Sequence, residues 1–264
     1  MTSMVHNSVS LPGSTYHPTF ARVVKAELEK AKIPAVRNSI IIAFALYVFG
    51  SFMSRQGEYT STISGEHVLG GYSIIAMVLI VIGSLLVTSE YSQNTMRQTV
   101  LSDSRRLRLF CSKALVTVVV SLITIIPTLC AATAIFAAKN EQFDFAIDGI
   151  TPYAYATIYL ILLALFTLGL GYLLRSTVGT TFLMLAVFSL SDLISVIPLR
   201  FCHEVLADLT IPALGTYAIT GFSRVSTFTG TPLLSERWMA LLIFFGYTVV
   251  MCAIGFLRFK KSDV

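Results

Sequence analysis

Long stretches without charge constrain this chain more than any other feature of its sequence. Residues 38–54, 68–89, 114–138, 149–174 and 238–257 contain no Asp, Glu, Lys or Arg, and 176–199 contains a single acid, Asp192. A helix of about 20 apolar residues crosses the ~30 Å hydrocarbon core of a bilayer. The sequence therefore predicts an all-α, polytopic membrane protein with six transmembrane helices. The spans are rich in Val, Ile and Phe, residues that favour strands in water. In lipid every backbone group must be satisfied internally, and runs this long do so only as helices. Composition agrees, with 55% hydrophobic and 12% charged residues, against about 25% charged in soluble domains. No room remains for a large soluble catalytic domain.

Charge sets the expected orientation. One set of alternating segments holds most of the 19 Lys and Arg residues: Arg22, Lys25, Lys30, Lys32 and Arg37 before the first span; Arg97, Arg105, Arg106, Arg108 and Lys113 after the second; then Arg175, Arg258, Lys260 and Lys261. The other set has only Arg55, Lys139, Arg200, Arg224 and Arg237, beside eight acids including Glu58, Asp144 and Glu236. Basic loops stay inside, so both termini and residues 90–113 are expected on the cytoplasmic face of the cell inner (plasma) membrane. The net charge of +5 then anchors loops to the membrane, and no nucleic-acid partner is implied.

The chain divides into a cytoplasmic tail, 1–37, and a transmembrane domain, 38–264. Within the tail, residues 19–33 place Phe20, Val23, Val24, Leu28 and Ala31 on one face and Arg22, Lys25, Glu29 and Lys32 on another. This pattern predicts an amphipathic helix lying in the inner interface, with a bend at Pro34 before the first span. The turn at Arg175 between the fourth and fifth spans must be tight. Pro127 falls inside the third span, where it removes a helix hydrogen bond, and Pro198 ends the fifth. Gly169, Gly171, Gly246 and Gly255 are candidates for close helix contact. The partly apolar outer segment 200–237 predicts one or two short helices that cap the bundle or re-enter the outer leaflet.

The segment after the second span carries the most information. Glu90 stands at the membrane boundary, and Met96, Val100 and Leu101 form a short apolar face beside Arg97 and Gln98. Ser102-Asp103-Ser104 can break and cap, so a new helix is expected from Arg105 into the third span. A short half-apolar helix at the foot of two spans suits docking against another protein. A solvated charged loop is the plainer reading of the same residues. Asp192, within Ser189-Leu190-Ser191-Asp192-Leu193-Ile194-Ser195, must face protein or water, because a lipid-facing carboxylate costs roughly 2.5–3.5 kcal/mol. Hydrogen bonding to Ser189 or Ser195 and lining of a pathway both account for it.

Catalytic signatures are missing. The sequence has no phosphate-cradling GxxxxGK[ST] run, no HExxH and no GxSxG elbow. Its four cysteines form no CxxC pair, and no metal, cofactor or catalytic residue is assigned. Taken together, the amphipathic entry AELEKAKIPAVRNS, six spans, and the link Glu90-Tyr91-Ser92-Gln93-Asn94-Thr95 followed by Arg105-Arg106-Leu107-Arg108 and Lys113 resemble the permease subunit of a type-2 ABC exporter. That class includes drug and antimicrobial-peptide exporters; Asn94 stands where its members often have Gly. The resemblance implies a coupling helix near 91–101, seated in a groove of a separate ATPase subunit. Glu90 and Thr95 would lie at the joint, with Tyr91, Met96, Arg97 and Val100 on the docking element. It further implies a dimer of permease chains with seams at spans one and five, making Phe188, Asp192 and Ser195 candidate pathway or seam residues. ATP and Mg would be bound by the partner, so the chain itself is not expected to be an enzyme. A non-transporting immunity or sensor protein and a membrane-embedded enzyme are the alternatives.

Overall fold

The computed structural model describes residues 19–53, 65–93, 106–139, 149–194, 208–221 and 236–261. These residues form α1 (Phe20–Ala31), α2 (Pro34–Met53), α3 (Gly65–Val68), α4 (Tyr72–Ser92), α5 (Arg106–Lys139), α6 (Thr151–Leu174), α7 (Thr177–Ile194), α8 (Ile211–Thr220) and α9 (Arg237–Lys261). A 3₁₀ turn, Leu69–Gly71, leads directly into α4. The protein is an all-α, polytopic membrane protein. Five helical stretches among the described residues are long and apolar enough to cross a bilayer: Pro34–Met53, Leu69–Ser92, Arg106–Lys139, Thr151–Leu174 and Arg237–Lys261. The fifth expected span is represented by α7, whose apolar stretch Thr177–Ser189 is shorter. Ser195 and Pro198 lie outside the described residues.

Boundaries follow local chemistry. The helix that carries the third span starts at Arg106, one residue from its expected start, and runs unbroken through Pro127 to Lys139. The prolyl nitrogen cannot donate to the Ile123 carbonyl, a loss that one helix turn absorbs without ending the helix. Arg175 joins α6 to α7 in the left-handed conformation, φ 56°, with its N–H donating to the Gly171 carbonyl at 2.9 Å. Ser176 then starts α7, its hydroxyl accepting from the Gly179 N–H at 3.2 Å. Only two residues connect the helices, as the tight turn requires.

α6 is the hub of the bundle. Its buried residues occupy every side, including Tyr159, Leu163, Ala164, Leu168 and Tyr172, and it packs against α4, α5, α7, α8 and α9. A helix apolar all round belongs in the centre of a membrane bundle. Around it, α2 turns Ile41, Ile42, Phe44, Leu46 and Phe49 outward, and α9 does the same with Leu242, Phe245, Val250, Ile254 and Leu257. These are the faces lipid would wet. The helix α8 closes one end: the Tyr159 hydroxyl donates to the Ile211 carbonyl at 3.1 Å, and Tyr72 pairs with Thr216 at 2.9 Å.

Lipid tails are as apolar as leucine, so helices in a bilayer gain most from close backbone approach. The α6–α9 crossing is built that way. A Cβ on Gly169 would lie 2.9 Å from the Cys252 nitrogen, and one on Gly255 would collide with the Gly169 carbonyl. Thr248 and Cys252 extend the seam, donating to the Leu162 and Leu165 carbonyls at 3.4 Å each. Gly246 meets nothing within 4 Å and has no place in this contact, because it faces away from α6. Gly171 touches Val87 and Thr88 at ordinary distance. Replacing Gly255 by Val is expected to cost about 1–3 kcal/mol through overpacking, while Gly246→Val stays within about 0.5 kcal/mol. Thermal unfolding of the two variants in detergent reads the difference.

Candidate functional site

The ends of the helices that carry the basic residues meet in one place. α1 lies across the foot of α5, and its apolar face includes a carboxylate: Glu27 is buried together with Val23 and Ala31. Three turns of α1 therefore bring an acid against the bundle exactly where α5 supplies a cation, with Lys113 seven residues from its start. Glu27 accepts from the Lys113 ammonium at 2.6 Å. Lys113 also reaches Glu90 near the end of α4 at 2.9 Å and the Leu86 carbonyl at 3.4 Å. Lys30, one helical turn beyond Glu27, bridges the same two acids at 2.7 and 2.9 Å. Two acids and two bases thus tie α1, α4 and α5 together.

Burial divides the cluster. The Lys113 side chain is 3% exposed and Glu27 5%, whereas Lys30 is 42% exposed. Burial alone would raise the Glu27 carboxyl, but Lys113 and Lys30 outweigh it and hold the group below its ordinary value. Burial would likewise lower the Lys30 ammonium, yet its bonds to Glu27 and Glu90 raise it. Both shifts favour the ionised pair. A buried ion pair gains little over an apolar replacement, but losing one partner strands a charge and costs far more.

An aromatic plug closes the foot beside these ions. Phe110 packs on Tyr172 and Phe256 with ring centres 5.1 and 5.5 Å apart, and Tyr172 packs on Phe259 at 5.2 Å. The Arg106 guanidinium donates to the Phe259 and Lys260 carbonyls at 2.9 and 2.7 Å. It thereby caps the last turn of α9, where the helix dipole favours a cation. The Arg175 guanidinium lies 5.6 Å from the centre of the Tyr91 ring. Hydroxyl pairs join α4 to α7: Ser84 with Thr181 at 2.9 Å and Thr88 with Thr177 at 2.6 Å.

A cavity of about 530 Å³ opens between the α1–α2 elbow, the foot of α4 and the foot of α5. Lys30, Glu90, Ser89 and Gln93 supply its polar wall, while Val36, Leu85 and Leu86 supply its apolar one. A second groove, of about 780 Å³ between α5 and α6, is lined by Ile126, Leu129, Tyr153 and Ile158 without a charged side chain. No group of three or more His, Cys, Asp or Glu side chains suited to a metal occurs among the described residues.

The sequence-derived candidates fall unevenly on this arrangement. Glu90 turns inward to the ion cluster, and Tyr91 packs beside Arg175. Thr95, Met96, Arg97 and Val100 lie outside the described residues. Phe188 is half-buried against the main core, and Asp192 falls in the last turns of α7. Sequence reasoning placed Glu90 and Lys113 at span borders but missed Glu27. The available signal was a carboxylate in the middle of an otherwise apolar helical face. Compared with known families, residues 28–264 match one described as "Protein of unknown function (DUF2705)". No curated protein matches the chain.

Removing one member of the pair should cost the most. Lys113→Met is expected to destabilise the protein by about 3–5 kcal/mol, and adding Glu27→Leu should restore much of that loss. Denaturant unfolding of both variants in detergent measures the coupling. Glu27 contributes fully above the ordinary carboxyl value of 4.5 and loses its contribution as pH falls through its lowered value. Lys30 contributes fully below 10.5 and loses its contribution as pH rises through its raised value. Protection of α1 from proteolysis should therefore be flat between about pH 5 and pH 10 and fall outside that window.

Proposed function

We propose that this chain, which belongs to that family, is the membrane-spanning permease subunit of an ATP-driven exporter. In this reading six helices cross the cell membrane, with α7 as the fifth span and both termini cytoplasmic. Two permease chains form the pathway, and separate ATPase subunits bind ATP and Mg. The chain transmits motion and does not hydrolyse nucleotide.

The carrying observation is the ion cluster. Residues 94–105 connect α4 to α5, and Glu90 and Lys113 stand on the two helices that flank this link. Glu27 and Lys30 clamp α1 to both. A partner pressing on the link would meet three helices held as one unit, so its displacement passes into the bundle without being dissipated at a loose joint. A coupling element needs that property, because a partner shifts a conformational equilibrium only through contacts that differ between the two states. The polar residues at this end also suit the reading: Arg106, Arg258, Lys260 and Lys261 gather at the feet of α5 and α9, as the positive-inside rule expects of a cytoplasmic face.

Co-expression with a candidate ATP-binding-cassette subunit provides the test. The complex should co-purify, and Met96→Asp with Val100→Asp should abolish the association without reducing membrane insertion. An unchanged complex would remove the docking role of this segment. In a background lacking the native cysteines, Cys introduced at Gln93 or Ser102 should react with an impermeant maleimide in inverted vesicles only. Labelling in intact cells would reverse the orientation.

A further inference from the structure

The groove of about 780 Å³ between α5 and α6 lies at a depth that its own helices define. Lys139, exposed at the end of α5 with its ammonium 4.1 Å from the centre of the Phe52 ring, marks one headgroup level. Along α5 the groove runs from Ala137, about 3 Å below that lysine, to Ile126, about 20 Å below it. Half of a ~30 Å hydrocarbon core is about 15 Å. The groove therefore occupies one leaflet and stops just past the midplane, beside Pro127, where a proline bends a helix.

Its walls call for hydrocarbon. Thr133, Ala134, Ala137, Ala154 and Thr157 are small and leave the space between the helices open, while Ile126, Ile150 and Ile158 line it with exposed side chains. The hydroxyls are satisfied within the protein. Thr133 meets the Leu129 carbonyl at 2.8 Å and the Tyr153 hydroxyl at 3.1 Å, and Thr157 donates to the Tyr153 carbonyl at 2.7 Å. Water would find few partners there, and an empty groove would forfeit dispersion contacts along its length. Two occupants are apolar enough, a helix of a second copy and a lipid chain. A membrane-crossing helix needs a face that continues through the whole core, whereas this groove spans half of it. Its volume of about 780 Å³ over roughly 16 Å of α5 leaves a section of roughly 50 Å², below the roughly 80–110 Å² of a helix 10–12 Å across. We infer that this groove seats one acyl chain of a phospholipid from that leaflet, entering at the level of Ala137 and ending beside Ile126. The chain fills the space that the small facing side chains leave, so α5 and α6 pack around a resident lipid. The assignment does not depend on the transport reading.

The test uses the full chain reconstituted in vesicles of phosphatidylethanolamine and phosphatidylglycerol, with a trace of phosphatidylcholine carrying a diazirine at the middle of one acyl chain. The reference is Leu242 and Phe245, exposed on α9, whose Thr248 bonds to the Leu162 carbonyl and so sets them level with the groove. After irradiation, adducts on residues 126–137 and 150–158 should exceed those on the reference by about fivefold, which converts to about 1 kcal/mol of preference. Ala134→Phe, which fills the groove from an exposed position, should bring the two regions to equal labelling. Equal labelling in the unsubstituted chain would overturn the assignment and leave the groove wetted by bulk lipid like any other face. A groove without adducts, or disulfide cross-linking of two chains through the native Cys130 on its wall, would overturn it in favour of a second copy. Persistence of the excess in folded Ala134→Phe would also count against the site. Should that variant not fold, Ala154→Phe fills the groove from α6, with the same two outcomes.

Discussion

A lysine carried two turns into a membrane helix must find acids or force the surrounding structure open. Lys113 finds two, on α1 and α4, and the position of α1 follows from that requirement. The amphipathic face of α1 would bind any apolar surface; Glu27 makes it bind one. Apolar contact supplies adhesion here, and the ions supply registry, since a shift of α1 by one residue would carry Glu27 off its partner. Retention of a costly buried charge in exchange for a defined position has precedent in helical assemblies.

The upper bundle follows a different rule. Around α6, helices approach through glycine and hydroxyl side chains, at Gly169 with Gly255, Gly83 with the Ala164 carbonyl, and Ser84 with Thr181. Such contacts are short and allow little sliding. At the foot, long flexible side chains span the gaps between α1, α4 and α5, and a cavity remains among them. The structure is thus tight at mid-bundle and more open where the link between α4 and α5 departs.

Much of the fold was legible because the bilayer leaves few options. Uncharged runs of the required length marked the five long helices, and the apolar stripe of residues 19–33 marked α1. Arg175 marked the two-residue turn, being the charge between two apolar runs. The paired site was harder to see. Glu90 and Lys113 were visible as borders of spans, but the charge pattern gives no partner, and their partners on α1, 60 or more positions away, meet them only after the helices pack. Glu27 was hidden for a simpler reason: in a periodicity count, one acid on an apolar face reads as a blemish in the stripe. The glycines divided along the same line. Gly169 and Gly255 meet in adjacent helices, whereas Gly246, nine residues earlier on α9 and so about 13 Å away along it, faces open space, a property of tertiary packing.

The foot of α5 also receives the far end of the chain. Lys113 holds α1, the earliest helix described, while Arg106, two turns below, holds the terminal carbonyls of α9, the last. With 34 residues, α5 extends roughly 50 Å, well past the hydrocarbon thickness. The fold is in effect a loop fastened at a single post, so a tilt of that post reaches the first and last helices together, without travelling residue by residue through those between.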